Sequence, residues 1–277
     1  MLYLLLAILS SCLISIVMRL SEKHGKNRLS MLLFNYILCT ALSASLAGFG
    51  NVSREGLGIT LGMGTINGVL YLTCFMLLQW NIGRSGVVLA STFSKLGVIV
   101  PTLMAVLVFG EQPGIAQITG LVLTVAAILL MNYTKQDTAK ANGLWGLVLL
   151  MLLGGMADGM SKIFERTGNV QQSGIFLFVT FTVALILCAA LAAARHERIT
   201  RYDVLDGILL GIPNYFSTRF LLRSLSDVPA VIAYPSFSVG VIAAVAVVGV
   251  AAFRERFTKA QWIAMAAIAA ALVLMNI

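Results

Sequence analysis

Ten apolar runs divide the chain, covering approximately residues 2–20, 30–50, 57–80, 86–109, 114–133, 143–164, 172–194, 203–223, 229–252 and 259–276. Each comes close to the roughly 20 residues that a helix needs to cross a hydrocarbon core about 30 Å thick. The connections are mostly short, so neighbouring helices are expected to run antiparallel. No stretch is long or polar enough to fold as a separate soluble domain. The pattern predicts an all-α membrane protein with ten transmembrane helices. The first run is read as a span rather than a cleaved leader, because Arg19 follows it and no basic residue precedes it.

The same pattern occurs twice. Residues 87–132 align without a gap on 231–276, with thirteen identities that include Phe93/Phe237, Ser94/Ser238, Phe109/Phe253, Glu111/Glu255, Gln117/Gln261, Met131/Met275 and Asn132/Asn276. Apolar bias would match Ala, Val and Leu by chance, but not Phe-Ser, Phe-x-Glu, Gln and Met-Asn in one register. Arg19/Lys162, Glu22/Glu165, Lys23/Arg166 and Gly25/Gly168 pair the first helix with the sixth. Gly64-x-x-Asn67 recurs as Gly211-x-x-Asn214. The expected organisation is a five-helix repeat at 1–134 and a second at 143–277.

Five is an odd number, so the second copy must enter the membrane inverted. Charge tests this separately. Thirteen Lys and Arg fall in or beside odd-numbered loops, three (Arg54, Arg166, Arg223) in even-numbered loops, and three (Lys95, Lys162, Arg219) within spans. Where one copy is basic the other is nearly bare, as an inverted repeat under the positive-inside rule requires. The odd loops are expected to be cytoplasmic and both termini outside.

Composition agrees. Apolar residues make up 59% of the 277 residues and charged residues 11%, against about 25% charged in an average soluble domain. Mean hydropathy is +0.95. A soluble enzyme, a disordered chain and a nucleic-acid-binding module are excluded. The net charge of +8 belongs to topology rather than to a nucleic-acid partner. Cys12, Cys39, Cys74 and Cys188 all lie in apolar runs and are read as buried thiols.

With these residues in view, the chain resembles the drug/metabolite transporter superfamily in its ten-helix, EamA-like branch. The most specific marks are the Phe109-x-Glu111 and Phe253-x-Glu255 turns that open the last helix of each half. Individual helices also resemble the small multidrug resistance family. Ala7-Ile8-Leu9 with Met18-Arg19-Leu20-Ser21-Glu22 is similar to its first helix, and Ala233-Tyr234-Pro235-Ser236-Phe237-Ser238 to its third. The resemblance implies that Tyr234, Phe237 and Ser238 line a substrate site, and Phe93 and Ser94 their counterpart, with Ala90 in place of the Tyr. The glutamate that exchanges protons for cationic drugs in that family has Ser11 at its position here and Gly154 at the repeat mate. This weakens a carry-over of proton-coupled cation export. Ten-helix relatives usually place both termini in the cytoplasm, opposite to the charge count here.

Charges inside spans are expensive and mark function by default. Lys95 lies near the middle of the fourth span, and its repeat mate is Val239, so the architecture does not require it. It is expected to bind a substrate carboxylate or phosphate; the plainer reading is a lysine bonded to backbone at a helix break near Pro101. Asp158 and Lys162 sit four residues apart on one helix face, either as a structural ion pair or with Asp158 as a proton or amine site. Arg219 either joins that cluster or snorkels to the interface. Asn67 and Asn214 are expected to line a central cavity or to bond helix to helix. Tyr215, Asn35, Tyr36, Tyr71, Ser11 and Ser15 are further cavity candidates. Pro101, Pro213 and Pro235 are expected to break backbone bonds inside the fourth, eighth and ninth spans, as kinks or as hinges.

Three function classes follow. The first is a secondary or facilitative transporter, an exporter by expectation, of a small polar or amphipathic metabolite by alternating access. The second is a flippase for a lipid-linked intermediate, with a proton-coupled organic-cation exporter as a further alternative. The third is an intramembrane enzyme, which has poor support: His24 and His196 are both in loops, so neither a His-Glu-x-x-His motif nor a histidine triad can form in the membrane. No catalytic residue, metal site or cofactor is expected. The expected partners are a small-molecule substrate and membrane lipid, no nucleic acid, with a monomer as the basal state and a dimer open. The expected location is a bacterial inner membrane. Lys95 with Asp158 suits a zwitterion such as an amino acid, and an anionic metabolite is the next choice.

Overall fold

The computed structural model describes residues 1–21, 28–49, 55–85, 87–131, 144–195, 199–253 and 258–275. Glu22, Lys23, Lys26, Arg54, Lys135, Lys140, Arg198, Arg254, Glu255 and Arg256 lie outside these ranges, as do His24, Gly25, His196, Asn132 and Asn276. The described residues form α-helices and no strands. The helices are α1 (Leu2–Ser21), α2 (Arg28–Leu46), α3 (Leu57–Ser85), α4 (Val87–Leu96), α5 (Ile99–Leu107), α6 (Ile115–Met131), α7 (Leu144–Thr167), α8 (Ser173–Ala194), α9 (Arg201–Ser224), α10 (Ala230–Phe253) and α11 (Lys259–Met275).

These account for the ten expected spans, with α4 and α5 together forming the fourth. Seven are long and apolar enough to cross a membrane. Helices α6 and α11 have 17 residues each, about 25 Å at 1.5 Å per residue. Helix α9 has the length but carries Arg201, Asp203, Asp206, Arg219 and Arg223 within its 24 residues.

The fourth span breaks earlier than expected. Gly97 N–H donates to Phe93 O at 3.2 Å, Val98 N–H to Lys95 O at 3.3 Å and Val100 N–H to Gly97 O at 3.0 Å. The last two are i to i+3 bonds, so a tighter turn separates α4 from α5. Pro101 lies in the first turn of α5, where a missing N–H costs little. Gly97 permits the break because its backbone presses on α7. A Cβ there would sit 3.1 Å from Met151 O and 3.2 Å from Gly155 N. Pro213 and Pro235 lie inside α9 and α10, as expected, and both helices continue through them.

Several of the repeated polar residues act as caps. Thr258 N–H donates to Gln261 Oε1 at 2.9 Å and Gly114 N–H to Gln117 Oε1 at 3.0 Å. Each glutamine reaches back over the first turn of the last helix of its repeat, as in a capping box. Thr200 and Asp203 do the same reciprocally at the start of α9.

The chain forms two compact units, and each draws helices from both sequence repeats. One comprises residues 2–72 and 163–224. In it α2 packs on α8 and α9, and α1 on α9. Lipid offers no hydrophobic drive for helices to associate, so close backbone approach and hydrogen bonds must hold them. Two Gly-x-x-x-Gly pairs supply that approach. A Cβ at Gly64 would lie 3.0 Å from Phe176 O and one at Gly68 2.6 Å from Thr180 O, both on α8. Gly207 and Gly211 press in the same way on α2, against Met31 O and Asn35 O. Glycines of α3 and α9 thus perform equivalent tasks.

The other unit comprises Met1 with residues 73–162 and 225–277. Here α6 packs along α11, and α10 touches α5, α6 and α11. Ala127, Val239 and Ile268 form its buried apolar cluster. Val239, the repeat mate of Lys95, is fully buried there, so the two related positions have opposite roles.

Candidate functional site

Lys95 closes α4, directly before the Gly97 turn. Asp158 lies past the middle of α7. Their charges interact, yet they form no direct salt bridge. Both side chains keep accessible surface. For Asp158 the direction of that surface can be worked out. Leu144, Trp145, Leu149, Leu152 and Met156 are the exposed large apolar residues of α7. At about 100° per residue all but Leu144, at the start of the helix, share one narrow stripe. Asp158 falls roughly 150° away from it by the same rotation. Its exposed surface is therefore turned away from that stripe.

Five further candidates belong to the same unit. Tyr234 of α10 is 2% exposed and donates its hydroxyl to the backbone oxygen of Asp158 at 2.8 Å. It fixes the α7 backbone at the carboxylate and offers little surface of its own. Phe93, Ser94, Phe237 and Ser238 are partly exposed.

Lys162 does not pair with Asp158. Its ammonium is 3.0 Å from Glu111 Oε1, with the two side chains 3% and 9% exposed. Gly110, at φ 68, turns the chain after α5, and Glu111 N–H closes the turn on Ala105 O at 2.9 Å. This places the Glu111 carboxylate at the start of α10. Ala230 N–H donates to Oε1 at 3.2 Å and Val231 N–H to Oε2 at 3.0 Å. A carboxylate at the positive end of a helix is favourably placed. Burial pushes the Glu111 carboxyl up, but the Val231 N–H, the Lys162 ammonium and the Ala230 N–H together hold it below its ordinary value. The i, i+4 rule considers one helix at a time, so it pointed to Asp158 and missed Glu111. The available signal was the repeat, which sets Glu111 and Glu255 at the same turn.

In the unit formed by residues 2–72 and 163–224, both asparagines bond helix to helix. Asn67 Nδ2 donates to Thr180 Oγ1 at 3.5 Å, and its Oδ1 is buried without a partner. Asn214 Nδ2 donates to Asn35 Oδ1 at 3.1 Å. Asn67 is wholly buried, whereas Asn214 keeps some exposed surface. Arg219 belongs to this unit and not to the one holding Asp158. Its Nη1 donates to Tyr215 Oη at 2.6 Å. Among the other cavity candidates, Tyr215 and Tyr36 are buried, Tyr71 packs edge-on to Phe181 at 6.1 Å, and Ser15 bonds Ser11 O. Among the described residues there is no group of His, Cys, Asp or Glu that could hold a metal ion.

Apolar helices long enough to cross a bilayer define an integral membrane protein. Residues 1–133, the first repeat, match the model of the EamA-like transporter family. That match indicates a membrane transporter of the drug/metabolite type. An uncharacterised protein of Haemophilus influenzae (strain ATCC 51907 / DSM 11121 / KW20 / Rd) is 24% identical over 274 residues, covering 94% of this chain and 92% of its own. A protein of known crystal structure is similar in fold, with a TM-score of 0.76 at 13% identity, over 99% of this chain and 96% of that one.

Proposed function

We propose that the protein carries a small zwitterionic metabolite, of the amino-acid type, across a bacterial cytoplasmic membrane by alternating access. The supporting observation is the Lys95–Asp158 pair: opposite charges inside spans, accessible, and not closed on each other. A direct salt bridge would satisfy both groups. An open pair leaves room for a carboxylate at Lys95 and an amine at Asp158. Charge-assisted hydrogen bonds of this kind contribute about 1.5–3 kcal/mol each. Phe93 and Phe237 supply apolar and π surface for the rest of the solute. The inverted repeat supplies two related conformations, one open to each side.

The test is a thermal-shift screen of the purified protein, since a ligand that binds the native state raises its stability. Free amino acids should raise the melting temperature. Their methyl esters and the corresponding amines should not, because each lacks the group that meets Lys95. Equal shifts with the amines would contradict the assignment.

We further propose that both termini face away from the cytoplasm, on the distribution of loop Lys and Arg. A reporter fused after the last residue and active only outside the cytoplasm is the expected result. Activity confined to the cytoplasm would reverse the orientation.

A further inference from the structure

Arg219 and Arg223 stand one turn apart near the C-terminal end of α9. Among the described residues, neither is paired with a carboxylate. Each guanidinium lies over a tyrosine ring instead, Arg219 Cζ 5.9 Å from the Tyr215 centroid and Arg223 Cζ 5.8 Å from that of Tyr3. Phe220 packs on Tyr3 at 6.2 Å and on Phe216 at 5.6 Å, so an aromatic floor supports both arginine stems. The helix dipole accounts for a cation in the last turn, which is Arg223. It does not account for a second one a turn deeper, where like charges four residues apart repel.

The direction of the two side chains follows from the helix. Leu205 and Ile212 are exposed apolar residues of α9. At about 100° per residue, Leu205, Ile212, Arg219 and Arg223 fall within one arc of roughly 40°. Asn214, bonded to α2 through Asn35, falls on the opposite side. The two arginines therefore crown the lipid-facing stripe of α9.

We propose that this end of α9 is a binding site for an anionic phospholipid. The phosphate bridges the Arg219 and Arg223 guanidiniums, and an acyl chain lies along Ile212 and Leu205. A guanidinium offers planar, paired donors matched to phosphate oxygens. Tyr215 uses one donor of Arg219 and leaves the others for the ligand. Two positive charges against one phosphate select a headgroup without an ammonium, such as phosphatidylglycerol, over phosphatidylethanolamine or phosphatidylcholine. The site is independent of Lys95 and Asp158, so its failure leaves the transport reading untouched.

The experiment uses the full chain, purified and delipidated in detergent. Thermal stability is measured with phosphatidylglycerol, phosphatidylcholine or inorganic phosphate added, and retained lipid is counted by native mass spectrometry. Phosphatidylglycerol should stabilise and be retained, and phosphatidylcholine should do neither. Arg223→Gln, at an exposed position, should fold normally and bind phosphatidylglycerol about tenfold or more weakly, as loss of a charge-assisted bond requires. Arg219→Gln should do the same, and Arg195→Gln, at the end of α8, should not. Lysine at 219 and 223 should restore part of the affinity. Equal binding of phosphatidylcholine, or full binding by Arg223→Gln, would overturn the proposal. Stabilisation by inorganic phosphate that matches the lipid and is lost in the same variants would replace the lipid with a free anion, and so overturn it too.

Discussion

Lys95→Met is expected to abolish transport in liposomes while the protein still folds. A lysine inside a span is expensive, by estimates from about 2.5 to more than 10 kcal/mol. Removing it relieves that cost. Loss of one partner usually destabilises a buried pair because the other charge is stranded. Asp158 escapes this because its side chain is accessible and forms no direct salt bridge with Lys95, so solvent can hydrate it. The solute loses a charge-assisted bond, which removes about 10- to 100-fold in affinity. Asp158→Asn removes the other half of the site. It should weaken zwitterions by a similar factor and spare a plain carboxylate. Transport rates are to be read beside thermal stability on the same monodisperse preparation. Normal rates in Lys95→Met would end the proposal, and unfolding of that variant would make Lys95 structural.

Glu111→Ala is expected to have the largest effect on stability, about 3–5 kcal/mol. Its loss takes the carboxylate from the Lys162 ammonium, which is 3% exposed, and removing one member of a buried pair costs about that much. It also leaves the Ala230 and Val231 N–H groups without their acceptor. Glu111→Gln with Lys162→Met should recover much of the loss, because the ammonium that lost its carboxylate is then gone as well. The pH dependence has a definite sign. The folded Glu111 carboxyl is held below its ordinary value of 4.5. The stabilisation is therefore complete above that value. It falls as pH drops below it, where the unfolded chain binds a proton before the folded one does. Melting curves from pH 7 to 3 should show a steeper acid decline for the wild type than for the double variant. Parallel declines would mean that Glu111 does not supply the linkage.

The helices were legible because lipid filters sequence strongly: long apolar runs are the direct signature of a bilayer. Polar positions were less legible, because hydrogen bonds across helices depend on which helices meet. Asn67 and Asn214 could be paired with each other by the repeat, but not with Thr180 and Asn35. Gln117 and Gln261 stood out as identities, and only the helix starts show them to be caps. Proline marks a missing N–H wherever it occurs, yet Pro213 and Pro235 are carried within helices while the fourth span breaks at Gly97. There the close contact with Gly155 decides the break, and no local pattern records it. For Arg219 the sequence leaves two readings open, a cluster with Asp158 or a side chain snorkelling to the interface. A helical projection of α9, with Leu205 and Ile212 as its reference, would have separated them from the sequence.

The central claim is that an opposed pair, Lys95 and Asp158, selects a zwitterionic solute. Counterflow in proteoliposomes tests it most directly. Vesicles carrying the wild-type protein are loaded with unlabelled amino acids, and uptake of the labelled solute is followed. Saturable exchange is expected, competed by other free amino acids and unaffected by their esters or amines. Exchange of an organic cation with no exchange of any zwitterion would contradict the account.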